Sequence, residues 1–502
     1  MNTGSRASIA VALLAAAALV GCGAQEDSRV AATTTTPTGA DWRPVSGLPF
    51  EEPVQLHSRR GVLRVELTAQ KGMTEVSGAP VVAQPFNGRL VGPTLHVKPG
   101  ETIEATIKNA TDEATNIHWH GLHVRPTGIS DNVFRTFRPG QTVQSIVRLP
   151  RDHAPGTYWY HVHLHGYTEG QVMGGLSGLL VVEGLKKLLP RPLRKITERQ
   201  FAIRNLQTSG DAVVTDREDI NPEGPSAQLI NALQNPRLSL RSGETQLWRL
   251  GNIGSDLFYD VALDGHRMTV IAEDGSPVWR TRSATHLVMA PGKRFDVLVQ
   301  GGRPGRYTFR TKRYNEGSWM KRADLAQVTV TGPAAPRAAY AALPKRIDTP
   351  NEPIGRRTVS RRRSFTFSFG TGRDFTALIN GVQFRDGVNN VVPFVGTVEE
   401  WTLINKSDED HPFHIHVNDF QVMSVNGKPY RANGLQDVVV IPRNGGRVVI
   451  RNPFDDFTGH YVFHCHILGH EDAGMMQTVD VIRRGERPTP PPSHMGGAGH
   501  RH

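Results

Sequence analysis

The sequence predicts an all-β chain of three consecutive β-sandwich domains, on three observations. Its 502 residues include 51 glycines and 34 prolines, a turn-rich composition that favours short strands over helical bundles. Segments such as TIEATIKN, TQLWRLGN and VEEWTLIN alternate or run apolar with β-branched and aromatic residues, bounded by Gly, Pro, Asn and Asp. Amphipathic stretches of helical period and ten or more residues are hard to find. The third observation is that one pattern occurs three times.

Three segments, from Phe86, Ile230 and Ile379, align on Gly100, Gly243 and Gly396. Eighteen residues beyond those glycines stand His118, Val261 and His414, and two further on His120, Leu263 and His416. A second match closes each copy: GTYWYHVH from Gly156, GRYTFRTK from Gly305 and GHYVFHCH from Gly459. Its paired positions are His161/His163, Arg310/Lys312 and His464/His466. Histidine pairs therefore occupy the outer copies and are missing from the middle one.

From the N-terminus, Arg6 precedes a short apolar run, Ile9 to Val20, closed by LVGC at Leu19–Cys22. The run is shorter than the ~20 residues a spanning helix needs. It reads as a signal over 1–22, and its ending resembles a bacterial lipoprotein box that would leave Cys22 lipidated. Residues 23–44 are polar and rich in Thr and Ala, as expected of a flexible tether. The three modules then run over 45–185, 195–335 and 355–485. KKLLPRPLRK separates the first two, and a proline- and arginine-rich stretch around 343–363 separates the last two. Residues 486–502 read as a disordered Gly- and Pro-rich tail. The formal net charge is +11, but apart from Arg356, Arg357 and Arg361–Arg363 the basic residues are scattered, so no nucleic-acid partner is expected. An exported location at the cell envelope or periplasm follows from the signal, with the membrane reached only through the lipid.

The cysteine count carries further. If Cys22 is lipidated, Cys465 is the one thiol of the folded body and no internal disulfide can form. Cys465 stands between His464 and His466. On a strand, residues i and i+2 share a face, so each His-x-His pair directs two imidazoles to one place while Cys465 faces the other way. Four such pairs at repeat positions, His118/His120, His161/His163, His414/His416 and His464/His466, point to a multinuclear metal site. Beyond the cysteine lie His470 and Met475, and His411 precedes His414. Two histidines, a cysteine and a weak axial methionine form the blue-copper electron-transfer arrangement.

Through HWHG at His118, HVH at His161, HPFHIH at His411 and HCHILGHEDAGM at His464, the chain resembles the three-domain bacterial multicopper oxidases. That group includes laccases and periplasmic copper-tolerance oxidases. The resemblance spans nearly the whole mature chain and implies three cupredoxin-like Greek-key β-sandwiches with four coppers. It assigns His411, Cys465, His470 and Met475 to a type 1 copper, and His118 and His414 to a type 2 copper. His120, His161, His163, His416, His464 and His466 would hold two type 3 coppers. A trinuclear cluster would lie between the first and third domains, with the middle domain as a spacer. A small reducing substrate (phenols, aromatic amines or metal ions) would supply single electrons, and dioxygen would be reduced to water in a monomer. Asp131 and Glu471 match acidic positions that serve proton delivery, and Asp437 matches a position near the type 1 substrate side.

Two other readings compete with the phenol oxidase. A cuprous oxidase for copper tolerance is disfavoured by the lack of a methionine cluster among ten methionines, and by Val439 where such relatives carry methionine. A non-catalytic copper-binding or structural protein is disfavoured because all twelve ligand positions are filled. His123 and His165 are expected at strand ends or hydrogen-bonded to neighbours. His494, His500, His502 and Met495 belong to the tail.

Overall fold

The computed structural model describes residues 41–332 and 342–492. The signal, Cys22, most of the tether and the tail histidines lie outside the described residues. Among those described, no helix is long and apolar enough to cross a membrane.

The three copies fold alike. In the first, Val62–Gln70 pairs in parallel with Thr102–Ala110, which pairs antiparallel with Thr142–Arg148. The same parallel-then-antiparallel trio recurs as Thr197–Leu206, Thr245–Asn252 and Arg294–Gln300, and as Arg361–Phe369, Thr397–Asn405 and Arg447–Phe454. Burial along Val62–Gln70 alternates residue by residue, as a strand with one face on a core requires. Leu63, Val65 and Leu67 interlock with Leu95, Val97, Leu180 and Val182 from the four-stranded sheet opposite. In the second and third copies, sheets of seven and five strands and of six and four strands pack likewise. Their cores merge into one apolar cluster running from Leu185 to Val481.

One sheet is shared between copies: Gly72–Val76 and Ala79–Ala83 continue through Ala212–Val213 to Thr208–Ser209. The two α-helices of the described residues, Thr168–Gly174 and Leu468–Asp472, follow the GTYWYHVH and GHYVFHCH strands. They dock the first copy on the third. The amides of Gly166 and Glu169 donate to the Asp472 carboxylate (2.7 and 2.9 Å), and Thr168 Oγ donates to Glu471 (3.1 Å).

The histidine pairs sit differently from the expectation that both members share a strand. His161, His414 and His464 lie within the strands Gly156–His161, His411–Ile415 and Gly459–Cys465. Their partners His163, His416 and His466 lie just past the strand ends. His118 makes a single bridge to His161, and His120 enters a turn. Leaving the ladder is possible because other acceptors take up the amides: His416 N donates to Val462 O, His466 N to Pro412 O and His163 N to the Asn116 side chain. The imidazoles thus converge where strands from two copies run out.

Candidate metal centre

Cys465 is fully buried at the end of its strand, and burial pushes its thiol well above the usual range. Its Sγ lies 3.5 Å from His411 Nδ1 and 3.7 Å from His470 Nδ1. A chain of hydrogen bonds sets the His411 tautomer. Asn405 Nδ2 donates to the carbonyls of Glu409 and Ile441, which turns Asn405 Oδ1 toward Ser407 Oγ. Ser407 spends its hydroxyl proton on that oxygen, so it accepts from His411 Nε2 (2.6 Å) and leaves the Nδ1 lone pair facing the sulfur. His470 directs Nε2 outward to Glu409 (3.3 Å) and Nδ1 inward. Met475 is buried beside them, and its carbonyl accepts from the Cys465 amide (3.0 Å). This is a set of two nitrogens and one sulfur, with Met475 tied by its backbone to Cys465 and His470.

On the other side of the same strand eight of the other histidines gather, each no more than 1% exposed. His163, His416 and His464 form one group, His120, His161 and His466 another, and His118 and His414 a third that also reaches His120. In four of them Nδ1 is the occupied nitrogen: it bonds Asp131 in His118 (3.0 Å), Val162 O in His161 (2.6 Å), Asp437 O in His414 (2.8 Å) and Cys465 O in His464 (2.9 Å). The Nε2 atoms of His118, His120, His161, His414 and His466 are buried with no hydrogen-bond partner. His163 Nε2 approaches His464 Nε2 at 3.1 Å and His416 Nε2 at 3.2 Å. Burial is the first cause that holds His118, His161, His163 and His416 neutral, and neighbouring imidazoles add to it; His161 falls to about 3. Neutral rings with lone pairs turned toward one another are unfavourable unless a cation sits between them. The donor set therefore fits metal ions that accept imidazole and thiolate, as copper does.

Charged residues back this cluster. Asp131 Oδ1 accepts from both His118 Nδ1 and the Trp119 amide (2.9 Å), and burial raises its carboxyl to about 7. Glu471 is fully buried, with one oxygen 3.4 Å from His163 Nδ1 and the other 3.0 Å from His464 Nδ1. Asp437 is placed differently from the expectation. Instead of standing at a substrate face it is 1% exposed beside His120 and His414 (3.8 and 4.0 Å). Both of its oxygens are gripped by Arg294 (2.6 and 2.7 Å), which reaches in from the middle copy. Arg294 Nη1 also lies 3.4 Å from His120 Nδ1. Gly121, at φ +83°, leaves room for this pair, because a Cβ there would strike both Arg294 and Asp437. Gly292 likewise makes way for the His466 ring, which a Cβ would meet at 2.9 Å.

Sequence reasoning missed Arg294, Ser407, Asn405 and Glu409. Charged residues inside the otherwise apolar strand segment KRFDVLV were a signal for Arg294. Asn405, at the end of the strand Thr397–Asn405, and Ser407 and Glu409 in the loop after it carried none. His123 behaves as expected of a hydrogen-bonded neighbour. It bonds Val417 O (2.7 Å) and Asp456 (3.0 Å) and accepts no place in the clusters.

Three cupredoxin-like sandwiches with a sulfur-bearing centre one residue away from a polyhistidine cluster define a cupredoxin-type protein with two adjacent candidate metal sites. The multicopper oxidase family matches the chain at residues 68–187, 200–331 and 356–484, and the chain belongs to that family. It is 28% identical over 443 residues to the multicopper oxidase mco of Staphylococcus haemolyticus, covering 84% of this chain and 89% of the relative. It is 24% identical to the multicopper oxidase MmcO of Mycobacterium tuberculosis, covering 92% and 96%. Among solved structures, a laccase-like oxidase from a lignin-degrading Ochrobactrum superimposes with a TM-score of 0.73 at 26% identity, covering 86% of this chain and all of that one. The protein is a copper-dependent oxidoreductase that couples oxidation of a reducing substrate to reduction of dioxygen.

Proposed function

We propose that the chain is a laccase-like oxidase holding four coppers, with phenols or similar one-electron donors as substrates. The carrying observation is Cys465: its sulfur faces His411 and His470, while His464 and His466 on either side belong to the polyhistidine cluster. In this reading His411, Cys465, His470 and Met475 hold a type 1 ion and His118 and His414 a type 2 ion. His120, His161, His163, His416, His464 and His466 hold a type 3 pair. Bound copper supplies one-electron transfer at the first site and dioxygen reduction at the second.

The chain's own residues do the rest. His470 is the ligand nearest solvent, at 7% exposure, and is flanked by the rings of Phe369 and the exposed Phe375 (5.0 and 5.7 Å). That edge suits an aromatic donor. Asp131 accepts the Nδ1 proton of His118, Glu471 lies beside the Nδ1 atoms of His163 and His464, and both carboxyls are placed to pass protons to the buried cluster. A second reading, metal-ion oxidation, is favoured by the Glu409 carboxylate next to His470 Nε2. An exported, lipid-anchored monomer is the cellular setting we infer from the signal read over residues 1–22. Oxygen uptake by the copper-loaded protein, with a phenol or Cu(I) as donor and a Cys465→Ser control, tests the assignment. Fast phenol-driven uptake that the variant lacks is expected. Uptake with Cu(I) alone would select the second reading, and none with either donor would reject both.

A further inference from the structure

A separate convergence of ligands lies at the edge of the first sandwich. His57 ends the strand Gln55–His57 and pairs in register with His96 of Thr94–Val97, and their rings stack at 4.2 Å. Glu183 follows the next strand, and its amide donates to Val97 O (2.8 Å). Three neighbouring strands thus deliver two imidazoles and a carboxylate to one point. His57 Nδ1 lies 3.4 Å from Glu183 Oε1 and His96 Nδ1 lies 3.8 Å from the same oxygen.

Hydrogen bonding fixes which atoms are free. Gln55 Nε2 donates to Pro53 O (2.6 Å), so Gln55 Oε1 is the atom 2.6 Å from His96 Nε2. That nitrogen must carry the proton, and His96 Nδ1 is a bare lone pair. His96 is 5% exposed, and burial, helped by His57, keeps the ring neutral. A buried lone pair thus faces a carboxylate oxygen with no proton between them. The nearby cations Lys186 and Arg249 are both paired with Glu198 (2.9 and 2.5 Å) and do not relieve this. We propose that His57, His96 and Glu183 form a further metal site, distinct from the twelve copper ligands, for a borderline divalent ion such as Zn(II). Gln55 is its positioning residue, and the open side at His57 leaves room for solvent ligands.

The test is equilibrium dialysis of the copper-loaded full chain against Zn(II), which binds nitrogen ligands less tightly than Cu(II) and leaves the resident copper in place. Wild type, His57→Ala and Glu183→Gln are compared, since both positions are accessible enough to substitute without unfolding. One more zinc per chain in wild type than in either variant is expected. Its affinity should fall by at least roughly tenfold in each, a loss at the lower end of that for outer-shell changes. A zinc-dependent rise in melting temperature in wild type alone should accompany it. Equal zinc in wild type and either variant, or a melting shift that survives substitution, would overturn the site. Phenol oxidation should be unchanged in both variants, so failure here leaves the oxidase assignment intact.

Discussion

The Nδ1 atoms of His118, His161, His414 and His464 and the Nε2 of His411 are held by carbonyls, a carboxylate and a hydroxyl, so each of these rings presents one chosen nitrogen before any metal arrives. Asp131 is the most exposed to test, because a single carboxylate sets both the His118 tautomer and the Trp119 amide. In Asp131→Asn the amide can still accept one bond. Oxygen uptake should nevertheless fall by about 10–100-fold, with copper per chain measured alongside to separate binding from turnover. His153 makes a pH prediction. Its Nε2 accepts from the His123 amide (3.0 Å), and burial lowers the ring to about 4. The folded state prefers the neutral ring, so this stability is full above the unfolded value near 6.5 and is lost as pH falls toward 4. Denaturant titrations of wild type and His153→Gln between pH 7 and 4 should differ by roughly 3 kcal/mol in that loss. The copper ligands were legible because His and Cys at fixed short spacings have few other uses. Asp437 was misplaced because its environment is set by Arg294, 143 residues away.

At the scale of the element, alternation revealed the strands and the repeat revealed which of them correspond. The sheet from Gly72–Val76 to Thr208–Ser209 was not legible, since strands of two residues have no period and exist only through their partners. Nor was the role of the strand Arg294–Gln300. It begins with a guanidinium that is fully buried, paired with Asp437 and 3.7 Å from Asp274. Arg294→Met removes one partner of a buried ion pair and leaves the carboxylates facing each other. We expect a loss of about 3–5 kcal/mol in chemical denaturation of the apoprotein.

The whole molecule is held partly by what it binds. The first and third copies meet through eight histidines whose lone pairs oppose one another, and through the helix contacts of Asp472 and Glu471. Copper bound there favours the assembled state alone. Calorimetry of copper-loaded and copper-stripped protein should show the stripped form melting at a lower temperature, with a stability loss of about 2.7 kcal/mol for each site filled at 100 times its Kd.

The middle copy has a consequence of its own. A duplicated unit that gave up its histidines would ordinarily be free to drift or to be discarded. Here it supplies the counter-charge to Asp437, and through Gly292 the clearance for a ligand of its neighbour. A shortened descendant joining only the outer units would inherit every copper ligand and still hold a buried, uncompensated anion at the centre. Three units are therefore the smallest inheritance that works for this lineage, unless another cation takes the place of Arg294.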